Sequence, residues 1–146
     1  MVDHITKTYF AAFYYLYNIR RIRKYVTKEY KETLIHAYIF SRLDYCNSLL
    51  FGVPDCHLHK LQRVQNAVAH LIFQESRFCH IISLLKSLHW LPVKYRIVFK
   101  IILTTFKAIH GLALAYVSEL ISFRDTGRYD FRSNDGLLLA PCMGKT

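Results

Sequence analysis

"SLHWLPVKYRIVFKIILTTFKAIHG", Ser87 to Gly111, is the stretch whose reading decides the fold. It holds the chain's only tryptophan, Trp90, one of its three prolines, Pro92, and no acidic residue. Pro92 pushes Leu91 out of helical geometry and so closes the short helical pattern "HIISLLKSLHW" before it. After Pro92 the apolar residues continue to Ile109, and Gly111 supplies the stop. On a wheel of about 100° per residue with Arg96 at zero, Lys100 falls at about 40° and Lys107 at about 20°. Val98, Phe99, Ile102, Phe106 and Ile109 spread over roughly 200–300°, and Ile97 and Ile101 widen that arc. The spacing predicts a helix buried almost all round except for one narrow basic ridge. Solubilising charge normally mixes both signs, so a ridge of one sign points to a polyanionic partner.

Working outward, "LALAYVSELIS" predicts one more short helix. Upstream, "LHKLQRVQNAVAHLI" is the clearest amphipathic pattern: Leu58, Leu61, Val64, Val68 and Leu71 mark one face, with Lys60, Arg63, Gln65 and Asn66 largely on others. "QRVQNA" within it reads as a solvated helix face or as a polar edge able to touch a sugar-phosphate backbone. "FGVPDC" separates it from the preceding helix, with Gly52 and Pro54 as breakers and Asp55 as the expected cap. That preceding helix is expected from Thr27, its cap, toward Leu50, with Leu34, Ile35, Tyr38, Ile39 and Leu43 as its core face. Glu29 and Glu32 favour its first turns. Asp44 and Tyr45 near its end read as a hydrogen-bonding pair.

The first helix is expected from Asp3 to about Val26, with Ile5, Tyr9, Phe13, Leu16 and Tyr17 on a wide aromatic face. It runs into "NIRRIRKY", where Arg20, Lys24 and Lys28 fall at i, i+4 and i+8. Such a stripe is either a solvated edge or a surface for phosphates. Past Phe123 the pattern breaks, leaving room for one short strand. The expectation is an all-α protein, a small helical bundle of five or six helices with an irregular C-terminal tail. It divides into a helical region, 1–122, and a loosely structured tail, 123–146.

The chain has 146 residues, 53% of them hydrophobic, enough for one domain with a core. Uncharged runs such as Thr33 to Ser41 and Tyr45 to Pro54 are too short to cross a bilayer, so no membrane association is expected. "MVDHITKTYF" lacks an apolar signal core, and an intracellular setting is expected. The acid-free span His4 to Lys28 has a presequence-like composition, yet its apolar spacing continues straight into the next helix.

Twenty basic residues against ten acidic ones give a net charge of +10, which suits a polyanion or a lost acidic neighbour. The excess is uneven, since no acid lies between Glu75 and Glu119. Catalytic groups do not converge. Apart from Glu29 and Glu32 the acids are scattered singly, with no DxD pair for two-metal chemistry, and no nucleophile-elbow, Walker or zincin motif occurs. Cys79 and His80 are adjacent, and adjacent helical residues do not face each other. Cys56, His57 and His59 in "CHLH" lack a CxxC partner, and the four cysteines have no finger spacing. No catalytic residue, metal site, cofactor or small-molecule substrate is expected in this chain.

The blocks "SRLDYCNSLLFGVP", "LHKLQRVQNAVAHLI" and "LKSLHWLPVKYRIVFKIILTTFKAIHGLALAYVSEL", in this order and spacing, resemble a known family. They are similar to the region just downstream of the polymerase core in reverse transcriptases of non-LTR retrotransposons, the jockey-like LINE class. The upstream "ITKTYFAAFYYLYNIRRIRKYVTKEYKETLIHAYI" and the tail "RSNDGLLLAP" fit the same segment, so nearly the whole chain is covered. The resemblance implies a parent RNA-directed DNA polymerase, using Mg, that copies element RNA at a nicked chromosomal target in the nucleus or cytoplasm. Its catalytic aspartates lie in palm motifs, including an aromatic-x-Asp-Asp turn, and none is present here.

The segment would correspond to the thumb and the region after it, a helical bundle that grips RNA template and DNA primer by their backbones. That role would fall to Arg96, Lys100 and Lys107, with Arg20, Lys24, Lys28 and Arg63. Trp90, Leu91 and Pro92 would form a structural anchor at a helix junction, with base stacking by Trp90 as the other reading. Cys79 stands where the family commonly shows Asp, and Leu114 where it shows Pro. These departures, with a tail ending at Thr146, imply a decaying copy truncated at both ends, a fragment with its polymerase centre missing. An orphan basic helical protein that docks an acidic protein partner, and a non-functional translated remnant, are the alternatives.

Overall fold

The computed structural model describes residues 2–74, 79–123 and 139–141. The protein is an all-α helical bundle, as the periodicity predicts. Two compact units make up the chain, Met1–Phe99 and Lys100–Thr146. The boundary between the units falls inside a helix.

In the first unit, α1 (Val2–Ile22) buries Ile5, Ala12, Leu16 and Ile19. This seam is narrower than the expected aromatic face. Tyr17 is exposed, and Tyr9 and Phe13 are half-buried, because the small Ala12 sits at the centre of the contact. The helix also stops at Ile22, short of Val26, in a turn closed by Tyr25 N–H to Ile22 O at 2.9 Å. Arg20, Arg23 and Lys24 would repel one another at i, i+3 and i, i+4 within a helix, whereas cations are favoured at a helix carboxyl end.

After Thr27, which is extended and makes no side-chain cap bond, α2 (Lys28–Ile35) passes through a π-helical turn, His36–Phe40, into α3 (Ser41–Asp44). The long helix expected to reach Leu50 breaks at Tyr45 and at Cys46, whose φ of 51° is left-handed, and Asn47–Leu50 form a 3-10 turn. Asn47 Nδ2 donates to Asp44 Oδ1 at 3.4 Å.

Pro54 precedes α4 (Asp55–Phe73), and left-handed Gln74 ends it. Asp55 is the first residue of the helix, not its cap. α1 and α5 (Ile81–Ser87) both pack on α4. Ala69, Leu84 and Leu85 form a small buried cluster, with Phe73, Leu88 and Trp90 half-buried against it. The main core joins Ile5, Leu16, Ile35, Ile39, Leu61, Val64 and Val68. Each such side chain contributes about 1.5–3 kcal/mol by leaving water.

α6 (Val93–Ile109) follows Pro92 and stops before Gly111, whose φ is +68°. Its buried positions are Val93, Ile97 and Ala108, on the arc at about 60–120° from Arg96. Much of the arc expected to be buried is open instead: Phe99, Ile102 and Phe106 are 55%, 60% and 51% exposed, as is neighbouring Tyr95 at 61%, while Val98 and Ile109 are half-buried. The periodicity was ambiguous because this helix is apolar over most of its girth.

Within the second unit, α7 (Ala115–Ser118) packs on β1 (Ile121–Phe123), which pairs antiparallel with β2 (Leu139–Pro141). One strand was expected in this part of the chain and a two-stranded ribbon is present; the rest of the predicted tail lies outside the described residues. Among the described residues there are six helical stretches, counting α2 to α3 as one. None is long and apolar enough to cross a membrane.

Candidate nucleic-acid interface

The predicted basic stripe of Arg20, Lys24 and Lys28 is not one helix face. α1 ends at Ile22 and α2 begins at Lys28, so a turn lies between them. Lys28 is also engaged: its ammonium lies 4.7 Å from the Phe73 ring centroid and 3.9 Å from Glu32 Oε1. What the structure assembles instead is a corner. Arg20, Arg21, Arg23 and Lys24 are all exposed where α1 runs into the turn. The ion pairs of the described residues, Lys28–Glu32, Lys94–Asp55 and Arg96–Asp44, include none of the four. Arg21 and Arg23 are additions to the sequence reading. Their signal was present in "NIRRIRKY", and the stripe template selected only every fourth residue.

Arg63 is exposed on α4. It lies ten residues before Phe73, the neighbour of Lys28, hence about 15 Å away along the helix at its normal rise.

The ridge on α6 divides too. Arg96 is half-buried, pairs through Nη2 with Asp44 Oδ2 and lies over the Phe40 ring at 4.7 Å. The acid that the local sequence lacks is supplied from 52 residues upstream. Lys94, two residues earlier, meets both carboxylate oxygens of Asp55 at 3.1 Å. Lys100 and Lys107 remain exposed. Arg96 is thus a tie between α3 and α6, its charge met by the Asp44 carboxylate.

At the start of α6 sits a cluster of amides. Gln65 is 0% exposed. Its Nε2 donates to Leu91 O at 2.9 Å, while Oε1 accepts from Gln62 Nε2 at 3.0 Å. Gln62 Oε1 in turn accepts from Val93 N–H at 2.9 Å, and Gln62 Nε2 also reaches Asn66 Oδ1 at 2.8 Å. The first N–H of a helix has no partner within it, and here Gln62 serves as cap from another helix. "QRVQNA" is therefore a clasp rather than a solvated face. The wheel contained the clue, since Gln65 lies four residues after Leu61 and three before Val68.

Trp90 takes the anchoring role. Its ring packs edge-on to Phe40 at 4.5 Å and to His36 at 5.9 Å, and its backbone N–H donates to Leu85 O at 2.9 Å. Leu91 contributes only its carbonyl, its side chain being 47% exposed, and Pro92 O accepts from Arg96 N–H at 3.0 Å. Asp44 and Tyr45 do not form a pair: Asp44 turns to Asn47 and Arg96, and Tyr45 is exposed. No group of three or more His, Cys, Asp or Glu side chains is gathered among the described residues. Compared with protein-family models, with curated proteins and with solved structures, the chain matches none of them.

Proposed function

We propose that this chain binds nucleic acid through the phosphate backbone, without sequence preference, as the thumb-like and catalytically empty part of a non-LTR retrotransposon reverse transcriptase. The observation that carries the binding is the corner of Arg20, Arg21, Arg23 and Lys24, four exposed cations outside every ion pair of the described residues, on a chain of net charge +10. Each phosphate that such a corner neutralises releases condensed counterions, so affinity falls with salt. Lys100 and Lys107 add to the field, while Arg96 serves the fold. The parentage rests on the resemblance of the sequence blocks.

Titrating a labelled duplex at several salt concentrations tests the binding. Log affinity should fall linearly with log salt, and replacing the four corner cations by Gln should flatten the slope by about 0.9 for each phosphate no longer neutralised. Affinity indifferent to salt would remove the reading. Parentage is tested by sequencing genomic DNA upstream of the Met1 codon. A palm-coding stretch with an aromatic-x-Asp-Asp turn supports a polymerase remnant, and an intact promoter without one supports an independent gene.

A second reading, docking to an acidic protein partner, is favoured by the open arc of Tyr95, Phe99, Ile102 and Phe106 on α6. Exposed apolar side chains gathered on one face mark interaction surfaces. Binding of an acidic protein with no affinity for duplex or single strand would select it.

A further inference from the structure

The cleft between α1 and the α2–α3 helix joins aromatic rings, a cation and hydroxyls. Its volume is about 420 Å³, within the usual range of roughly 300–1,000 Å³ for ligand sites. Tyr15 and Tyr38 stack across it with ring centroids 5.2 Å apart and planes 21° from parallel. Tyr38 is 48% exposed and Tyr45, at the cleft's edge, 69% exposed. Arg42 lies 5.1 Å from the Tyr15 ring centroid and donates through Nη2 to the Tyr15 hydroxyl at 3.3 Å.

A guanidinium carries five N–H donors, so one such bond leaves most of them free. No carboxylate among the described residues pairs with Arg42, and none lines the cleft. The wall carrying Ala37 and Tyr38 is the π-helical turn His36–Phe40, a rare conformation often found at functional sites.

We propose that this cleft takes unpaired nucleotides of a single strand, with Tyr38 and Tyr45 stacking on bases and Arg42 holding the intervening phosphate. Exposed tyrosine rings beside a cation that no carboxylate of the described residues pairs are the chemistry of single-strand binding, which every base can satisfy. A duplex hides its base faces and gains nothing from the tyrosines. The cleft is thus distinct in kind from the corner at Arg20 to Lys24, which reads phosphate alone. The inference rests on the nucleic-acid reading above but uses different residues.

Fluorescence anisotropy of the full chain with a labelled oligothymidylate and with a blunt duplex tests it. Tyr38→Ala with Tyr45→Ala should weaken single-strand binding about tenfold or more and leave duplex binding unchanged. Tyr38→Phe with Tyr45→Phe should retain the single-strand affinity, because stacking needs the ring and not the hydroxyl. Arg42→Gln should lower the single-strand salt slope by about 0.7. All three changes are at exposed positions, and circular dichroism checks the fold. Equal losses on both ligands, no loss on either, or wild-type binding to duplex alone would overturn the cleft while leaving the corner standing. A phosphotyrosine or acidic peptide that binds in place of the strand, and is lost in the alanine variant, would overturn it in favour of a protein ligand. Wild-type protein that binds neither strand nor duplex removes the cleft and the nucleic-acid reading together.

Discussion

The end of α1 and the start of α6 look alike in sequence, each a set of cations at helical spacing with no acid nearby, and they end in opposite states. At the start of α6, Lys94 and Arg96 meet Asp55 and Asp44 across 39 and 52 residues of chain. The amides of Gln62 and Gln65 hold the backbone between them. At the end of α1, Arg20, Arg21, Arg23 and Lys24 stay exposed. A cation without a local acid is therefore not a free cation. Its availability depends on which surface the fold presses against it, and here one set became structure while the other stayed exposed, outside the ion pairs of the described residues.

The comparison breaks most readily at the clasp. Gln65→Ala leaves the Leu91 carbonyl without its donor and opens space in a fully buried site. It should cost about 2–4 kcal/mol in urea unfolding followed by Trp90 fluorescence. Nucleic-acid affinity measured on the folded fraction should be unchanged. Stability unchanged within error would mean that the clasp is ornamental.

Neutralising the α1 corner should do the reverse. Replacing Arg20, Arg21, Arg23 and Lys24 by Gln should lower duplex affinity about a hundredfold at moderate salt, roughly 2–3 kcal/mol. The unfolding midpoint should move little, since surface changes of this kind usually stay near 0.5 kcal/mol each. A large stability loss with binding intact would exchange the roles of the two regions.

Asp44→Asn sharpens the contrast. Arg96 keeps 22% of its side chain exposed and Asp44 39%, so solvent screens the pair and its loss should cost about 1–2 kcal/mol. Freed of its carboxylate, Arg96 becomes available to phosphate, and the duplex salt slope should steepen. An unchanged slope would confine Arg96 to a structural part even when unpaired. The smallest effect belongs to Lys94→Gln. Both members of its pair with Asp55 are 62% exposed, which limits the change in stability to about 0.5 kcal/mol.

Much of the fold was legible. Pro92 and Gly111 bracket α6, Gly52 and Pro54 separate the 3-10 turn from α4, and Leu58, Leu61, Val64 and Val68 mark a face that is buried. The candidate site was legible only in part. Lys24 and Arg20 are exposed, as a solvated edge or a phosphate surface equally requires, but the turn at Arg23 to Thr27 puts Lys28 on a different helix. The cleft of Tyr15, Tyr38 and Arg42 left no readable pattern, because it joins two helices across a π-helical turn that periodicity does not anticipate.

By itself the sequence determined the all-α class and the breaks at Gly52 to Pro54, Pro92 and Gly111, but not the helix ends at Ile22 and Asp44. Proline, glycine and apolar spacing act over one or two turns and need no partner. Only the tertiary structure decided which arc of α6 meets the core, that Gln62 and Gln65 bind the backbone rather than solvent, and that Arg96 is tied while the α1 corner lies outside the ion pairs of the described residues. Those outcomes depend on groups 26, 31 and 52 residues apart. Charge pairing and burial act through space, where separation along the chain carries no information.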